Sequence, residues 1–387
     1  MVMFFISERR SDTLFAKRLS GKSPGRPFLP INKHIMNNLA TYGWSQTLAA
    51  QKQASPFNEY AHGRVVVTHK TCYDVVSESG TFSCELTGNM RYGRSAEEQP
   101  CTGDWVLFQQ LDEAHGLIMD MLPREKTLYR LKSGSVSERQ PLAAHVDKAF
   151  IVQSVDSNFN VRRLERFLLQ TAEAGIAPVL VFTKTDLPFD KEAHESELQH
   201  IVHKMPVYYT STHQPESIEQ LREAIAPAET VIFTGSSGVG KSTLINILSR
   251  EAHLATNSIS DATGKGKHTT TRRELVPLQG GGILIDTPGI KLLGVTHNNP
   301  EALSSTLNMS EFEGKCRFRD CRHINEEGCA VIEAVASGEL DRGVYESYLK
   351  LRKEAWHYTA SVHEKRKQGK DFARVVKEVK KSKQKNR

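Results

Sequence analysis

The stretch Val231-Ile-Phe-Thr-Gly-Ser-Ser-Gly-Val-Gly-Lys-Ser-Thr-Leu244 restricts this chain to very few folds. Four β-favouring residues, Val231 to Thr234, run into a loop spelling G-x-x-x-x-G-K-S from Gly235 to Ser242. Helix-favouring residues follow from Leu244 to Leu248. A strand, a glycine loop and a helix start in that order are what a phosphate-binding loop requires. Gly235, Gly238 and Gly240 carry no Cβ, so the backbone N–H groups around Ser236, Ser237 and Val239 can turn inward and cradle phosphate oxygens. The helix that starts near Thr243 adds the partial positive charge of its N-terminus. Lys241 is placed to reach the β- and γ-phosphates, and Ser242 to offer its hydroxyl to Mg²⁺.

At 387 residues the chain has room for two or three domains, each with its own core. No apolar run approaches the ~18 residues of a membrane span. The opening Met1–Ile6 is too short for a signal peptide and lacks the basic lead-in. A cytoplasmic protein with no membrane partner is expected. The net charge of +6 is uneven: residues 350–387 hold 14 Lys and Arg against 4 Asp and Glu, so the basic character belongs to the tail. That tail suits phosphate contacts with RNA.

Residues 1–55 are polar and basic and read as a flexible extension, with a helical turn around Leu39 to Leu48. From about 56 to 130 short β runs appear, at 64–68, 81–86, 104–108 and 116–122, punctuated by Gly80, Gly88, Gly93 and Gly103. Four or five antiparallel strands in so short a span suggest an OB-fold barrel, with Arg91, Tyr92 and Arg94 as RNA contacts; an SH3-like barrel would give a similar pattern. Residues 136–294 alternate strand and helix and so predict a parallel sheet covered on both faces. Its buried strand at 178–182 ends in Thr183-Lys184-Thr185-Asp186. Beside a phosphate loop, Lys184 can lie along a base while Asp186 accepts hydrogen bonds from the N1–H and 2-amino groups of guanine. Adenine offers no such donor pair, so GTP is the expected nucleotide. Val207 to Thr212 forms a further strand ending in hydroxyl residues suited to a base-contacting loop.

After the phosphate loop, the polar segment 264–271 is expected to be mobile and carries His268, Thr270 and Thr271. Either threonine is a candidate to close over the γ-phosphate and Mg²⁺. Asp286-Thr-Pro-Gly289 then delivers Asp286 towards the metal and Gly289 towards the γ-phosphate. The parts are in an unusual order, because the base-reading pieces precede the phosphate loop. The same sheet results if old termini are joined and a loop is opened.

Residues 295–352 contain Cys316-x4-Cys321-x-His323-x5-Cys329. Three thiolates and an imidazole match a closed tetrahedral Zn²⁺ site, one structural ion per chain. Few apolar residues are evident there to hold the segment together, which gives a metal its purpose. Residues 353–387 form the basic tail.

Over residues 40–365 the chain resembles the ribosome small-subunit-dependent GTPase A family, which are circularly permuted GTPases. The resemblance is carried by Gly103-Asp-Trp-Val106, Thr183–Asp186, Gly235–Thr243, Lys267-His-Thr-Thr-Thr271, Asp286–Gly289 and the Cys316/Cys321/His323/Cys329 pattern. It implies an OB-fold, a permuted G domain and a zinc-binding α domain. It further implies a monomer that hydrolyses GTP on the small ribosomal subunit and its rRNA during late maturation. A GTPase of another RNA assembly, or a nucleotide-gated RNA-binding module, is the alternative. Two positions depart from the family pattern. Thr183 stands where GTPases usually have Asn, losing the amide that would brace base site and phosphate loop. His145 stands where Asn is common. Ile290 occupies the place of the water-orienting Gln of Ras-like enzymes, so intrinsic hydrolysis should be slow, and His268 is the nearest chemical substitute.

Overall fold

Alternating burial along five short strands closes a barrel at the start of the described chain. The computed structural model describes residues 38–131, 138–202, 205–256, 273–286, 307, 309–312, 314–319 and 321–359. The barrel strands are β1 (Ala61–Thr68), β2 (Tyr73–Ser77), β3 (Gly80–Leu86), β4 (Trp105–Gln110) and β5 (His115–Met121). They pair in the order β1-β2-β3-β5-β4 and close through β1–β4, with β3 and β5 parallel and the other pairs antiparallel. This is an OB-like barrel. Val65, Val75, Phe82, Val106, Phe108 and Ile118 fill its interior. The sequence pattern missed β2, whose register is set by pairing with β1 and β3 on either side. Of the three expected RNA contacts, Tyr92, at the end of the short helix α2 (Gly88–Tyr92), is 84% exposed, whereas Arg94 is tied to Asp120 at 2.7 Å.

Residues 38–55, grouped with the flexible extension in the sequence reading, form a 3₁₀ turn (Leu39–Tyr42) and α1 (Gln46–Ala54). Asn38 and Ser45 cap the two starts with their side-chain oxygens. Leu39 and Leu48 are buried against the outer face of the barrel, beside Trp105 and Leu107. A hairpin of β6 (Leu128–Leu131) and β7 (Arg139–Ala143) adds Leu128 and Leu142 to that same cluster.

The second sheet runs β10-β9-β8-β11-β13-β12. Its strands are β8 (Lys148–Ser154), β9 (Ala177–Thr183), β10 (Val207–Tyr209), β11 (Thr230–Gly235), β12 (Glu274–Pro277) and β13 (Ile283–Asp286). All adjacent pairs are parallel except β12–β13. Strand residues alternate faces: Phe150, Val152, Val179 and Val181 point to one side, Ile151, Leu180 and Phe182 to the other. The helices α3 (Val161–Glu173) and α4 (Lys191–Val202) cover the second side through Leu164, Phe167, Leu168 and Leu198. On the first side, α5 (Pro215–Glu223) and α6 (Lys241–Thr256) contribute Ile218, Leu221, Leu244 and Leu248. β9 and β10 precede β11 in the chain yet lie beside it in the sheet through β8, which is the permuted arrangement.

Barrel and sheet share a seam where Val67 of β1 pairs with Glu274 of β12. Buried Arg64 bridges it, donating to Gly103 O at 3.0 Å, Tyr42 O at 2.6 Å and Thr230 Oγ1 at 3.0 Å. Gly103 has φ +99, and a Cβ there would meet Ala144 O at 2.3 Å, so a side chain would force the turn before β4 away from Ala144. Asp104, next to it, is buried against Arg124 at 2.6 Å.

Towards the C-terminus, α7 (Ala330–Ser337) and α8 (Arg342–Thr359) pack Val331, Ala334, Val344, Tyr348 and Leu351 around Cys329, with Leu169 of α3 joining them. This segment therefore has an apolar cluster of its own, contrary to the expectation that it has little to hold it.

Candidate functional site

Four neighbouring parallel strands, β10, β9, β8 and β11, end on one edge of the sheet, where open α/β sheets bind ligands. β11 ends at Gly235, with φ +147, and a Cβ at this position would lie 2.2 Å from Val152 O of β8. Gly238 and Gly240 also take positive φ, +80 and +94. The loop then turns into α6, which begins at Lys241. Val239 is fully buried, Ser236 and Gly240 are partly exposed, and Ser237, Gly238, Ser242 and Thr243 are exposed. The Nζ of Lys241 donates to Ser236 O of its own loop. Burial pushes its ammonium down to about 8, with no offsetting carboxylate among the described residues.

Next to the loop, Thr183 ends β9. Its hydroxyl donates to Val239 O at 2.6 Å and lies 3.2 Å from Gln153 O. The lost amide is thus replaced by a hydroxyl brace of the same two elements. Lys184 follows in the left-handed region, φ +62, and its Nζ donates to Asp156 Oδ2 at 2.7 Å. Ser211 Oγ donates to Asp186 Oδ1 at 2.6 Å and holds that carboxyl below its usual range. Ser211 is itself positioned by the buried Ser217, whose hydroxyl contacts Ser211 N at 3.1 Å and Gln214 O at 2.7 Å. Thr183, Lys184, Asp186, Thr210, Thr212, Gly240 and Thr243 line one pocket of about 240 Å³. Thr185 N donates to Thr210 O at 3.4 Å, tying the turn after β9 to the residue after β10.

Asp286 closes the other flank at the end of β13. Burial raises its pKa, and Glu274 opposite it in the ladder adds to the rise. His268, Thr270, Thr271, Gly289 and Ile290 lie outside the described residues.

Sequence reasoning missed the loop between β8 and α3. Asp156 accepts from Lys184, from Ser154 Oγ at 2.6 Å and from Asn158 N at 2.9 Å, which together bring its pKa down to about 2. Asn158 Nδ2 donates to Ser237 O at 3.1 Å, and Arg163 Nη1 donates to Asn158 Oδ1 at 2.9 Å and to Ser236 Oγ. The available signal was positional: polar residues directly after a strand that neighbours the phosphate-loop strand.

The second predicted cluster is also assembled. The ligand atoms of Cys316, Cys321, His323 and Cys329 all lie within 4.8 Å of one another. His323 Nδ1 sits 3.5 Å from Cys316 Sγ and 3.3 Å from Cys329 Sγ, and the two sulfurs are 3.9 Å apart. Tetrahedral zinc with ~2.3 Å Zn–S and ~2.0 Å Zn–N bonds needs donor separations of about 3.5–3.8 Å, so Cys316, His323 and Cys329 stand near that spacing and the four-residue cluster is compatible with that ion. Tyr345 anchors the knuckle by donating to His323 O at 2.7 Å.

Comparison with known proteins agrees with this geometry. The RsgA GTPase family model matches residues 121–296, and a model described as 50S ribosome-binding GTPase matches residues 230–380. The second match begins on β11, the phosphate-loop strand. The small ribosomal subunit biogenesis GTPase RsgA 1 of Bacteroides thetaiotaomicron is 56% identical over 347 residues, covering 90% of this chain and 98% of the relative. The RsgA of Syntrophotalea carbinolica is 35% identical, covering 82% and 89%. Among solved structures, YjeQ from Thermotoga maritima superposes with a TM-score of 0.56 at 28% identity, covering 76% of this chain and 98% of that one. YloQ, described as a circularly permuted GTPase, gives 0.56 at 27% identity over 79% and 98%. With a polar pocket and a glycine loop together on one edge of a permuted sheet, and relatives of this similarity along nearly its whole length, the chain belongs to the RsgA GTPase family of GTP hydrolases.

Proposed function

We propose that this protein binds the small ribosomal subunit, assists its late maturation, and couples subunit-stimulated GTP hydrolysis to its own release. The observation that carries the reading is the joining of the Asp186 pocket to the Lys241 loop through Thr183, within one crevice. In this reading Asp186 accepts from guanine N1–H and the 2-amino group while Lys184 lies along the base. The inward N–H groups of residues 235–243 and Lys241 hold the phosphates, and Ser242 and Asp286 face Mg²⁺. Thr270, Thr271 and Gly289 serve the γ-phosphate, and His268 orients the attacking water. Zn²⁺ fills the Cys316/Cys321/His323/Cys329 set and stiffens the knuckle. The β1–β12 seam supports a link between nucleotide and RNA: β12 directly follows the segment bearing Thr270 and Thr271, and it pairs with the barrel. The relatives' names supply the small subunit as partner. We assign it to the cytoplasm as a monomer; among the described residues no helix is long and apolar enough to cross a membrane.

The test is GTP turnover at saturating nucleotide with and without purified small subunits. Slow basal turnover with a rise on the order of 10³-fold or more on adding subunits is expected, the usual size of one supplied transition-state contact. His268→Ala should keep GTP affinity and subunit binding while losing most of that rise. Stimulation by a different RNA assembly alone would reassign the partner. Absence of hydrolysis with every RNA partner would leave a nucleotide-gated binding module.

A further inference from the structure

Two cations converge on Ser236. Lys241 Nζ donates to its carbonyl and Arg163 Nη1 to its hydroxyl. Lys241 is expected in any phosphate loop, whereas Arg163 comes from the first turn of α3, 73 positions earlier in the chain. Its place there is built. The Asn160 N-cap accepts from Arg163 N at 2.9 Å, fixing the turn from which the side chain departs. Asn158 receives the guanidinium on Oδ1 and donates through Nδ2 to Ser237 O, so the pair clips two successive loop residues from outside. Among the described residues no carboxylate pairs with Arg163 or with Lys241, although Arg163 is only half-buried and carboxylates are common on this surface. Uncompensated positive charge at one residue of a phosphate loop is costly unless an anion is its intended partner.

We propose that Arg163 is a positioning residue for the nucleotide. Acting through Ser236 and Asn158, it holds the outer edge of the phosphate loop in its inward-facing conformation. Its charge, beside that of Lys241, favours the triphosphate over the diphosphate. This rests on the GTPase reading and deepens it. A brace alone would serve GTP and GDP alike, because both use the same loop. A charge adds more for the nucleotide with the additional phosphate, since Coulomb attraction scales with the charge it meets.

The experiment is equilibrium binding of GTP and GDP to the full chain and to Arg163→Met, Arg163→Lys and Ser236→Ala, with thermal melting to verify folding. Arg163→Met should weaken GTP by on the order of tenfold and GDP by about threefold or less, as expected for one charge lost near a phosphate in a partly buried site. Arg163→Lys should restore the GTP/GDP ratio, and Ser236→Ala should weaken both nucleotides equally with the ratio kept. Equal losses for both nucleotides in Arg163→Met, or unchanged affinities, would overturn the proposal while leaving the GTPase reading intact. Should the unsubstituted chain bind neither nucleotide, that reading fails and the role of Arg163 fails with it. If Arg163→Met does not fold, the Arg163→Lys ratio decides: a ratio reduced from that of the unsubstituted chain counts against the charge.

Discussion

The hydroxyl of Thr183 donates to the backbone carbonyl of Val239 over 2.6 Å, joining the end of β9, next to Lys184 and Asp186, to the glycine loop before α6. Both residues are buried, and the contact falls beside Gly240, where a Cβ would lie 3.5 Å from the same hydroxyl. The usual Asn would make this link with an amide. A shorter side chain makes it here because the loop approaches β9 closely.

Thr183→Val keeps the shape and deletes the donor, leaving a buried carbonyl unpaired. It should cost about 1–3 kcal/mol of stability, and GTP affinity should fall with it. Thr183→Ser retains the hydroxyl and should stay near the parent in both. Denaturant unfolding and nucleotide titration of the two variants check this. A Val variant as tight and as stable as the parent would show that the bond adds nothing.

Base selection should rest on Asp186 as oriented by Ser211. Asp186→Asn reverses one hydrogen-bonding partner, so the variant should lose GTP and gain xanthosine triphosphate in a competition assay. Ser211→Ala should weaken GTP without changing the preferred base, because the carboxylate remains but is no longer held. Full GTP preference in Asp186→Asn would remove the assignment.

His145 carries a pH dependence of its own. It sits at φ +54 with Nε2 buried and unpartnered. Burial drives its pKa down to about 4, Arg64 and Arg124 push the same way, and Asp104 and Asp147 oppose. The unfolded chain titrates near 6.5, so between 6.5 and 4 it binds more protons than the folded one. Stability is therefore full above about 6.5 and falls as pH drops towards 4, by on the order of 3 kcal/mol from this group. His145→Asn keeps a residue that tolerates the left-handed backbone and cannot charge. Its melting temperature should decline less than the parent's from pH 7 to pH 4. Parallel declines would show that His145 does not carry the effect.

Metal analysis of the purified chain should find about one zinc per molecule. Cys321→Ser should release it and increase amide exchange in the knuckle around residues 316–329. The helices α7 and α8 should loosen less, since their apolar cluster survives. Nucleotide affinity should hold, because the crevice has its own core on the far strands. Unsubstituted protein without zinc would end the idea.

The features legible in the sequence are those whose chemistry is local. Gly235, Gly238 and Gly240 announce a phosphate loop because backbone sterics restrict that string wherever it occurs. The spacing of Cys316, Cys321, His323 and Cys329 does the same for a tetrahedral donor set, and the 178–182 and 231–234 runs show buried strands through composition alone. What the string does not contain is which faces meet. Strand β2 and the β6–β7 hairpin are defined by their pairing partners. Arg64 looks like an ordinary strand residue until packing sets it against Thr230, 166 positions away in the chain, bridging barrel and sheet. From the sequence Thr183 reads as a lost brace, and nothing local singles out Asp156 or Arg163. The folded sheet, by setting β8 between β9 and β11, brings Thr183 and Arg163 to the phosphate loop and Asp156 to Lys184. Local sequence determines backbone conformation and amphipathic pattern, whereas contacts across 28 to 73 positions depend on how the elements pack, and that is decided only in the folded chain.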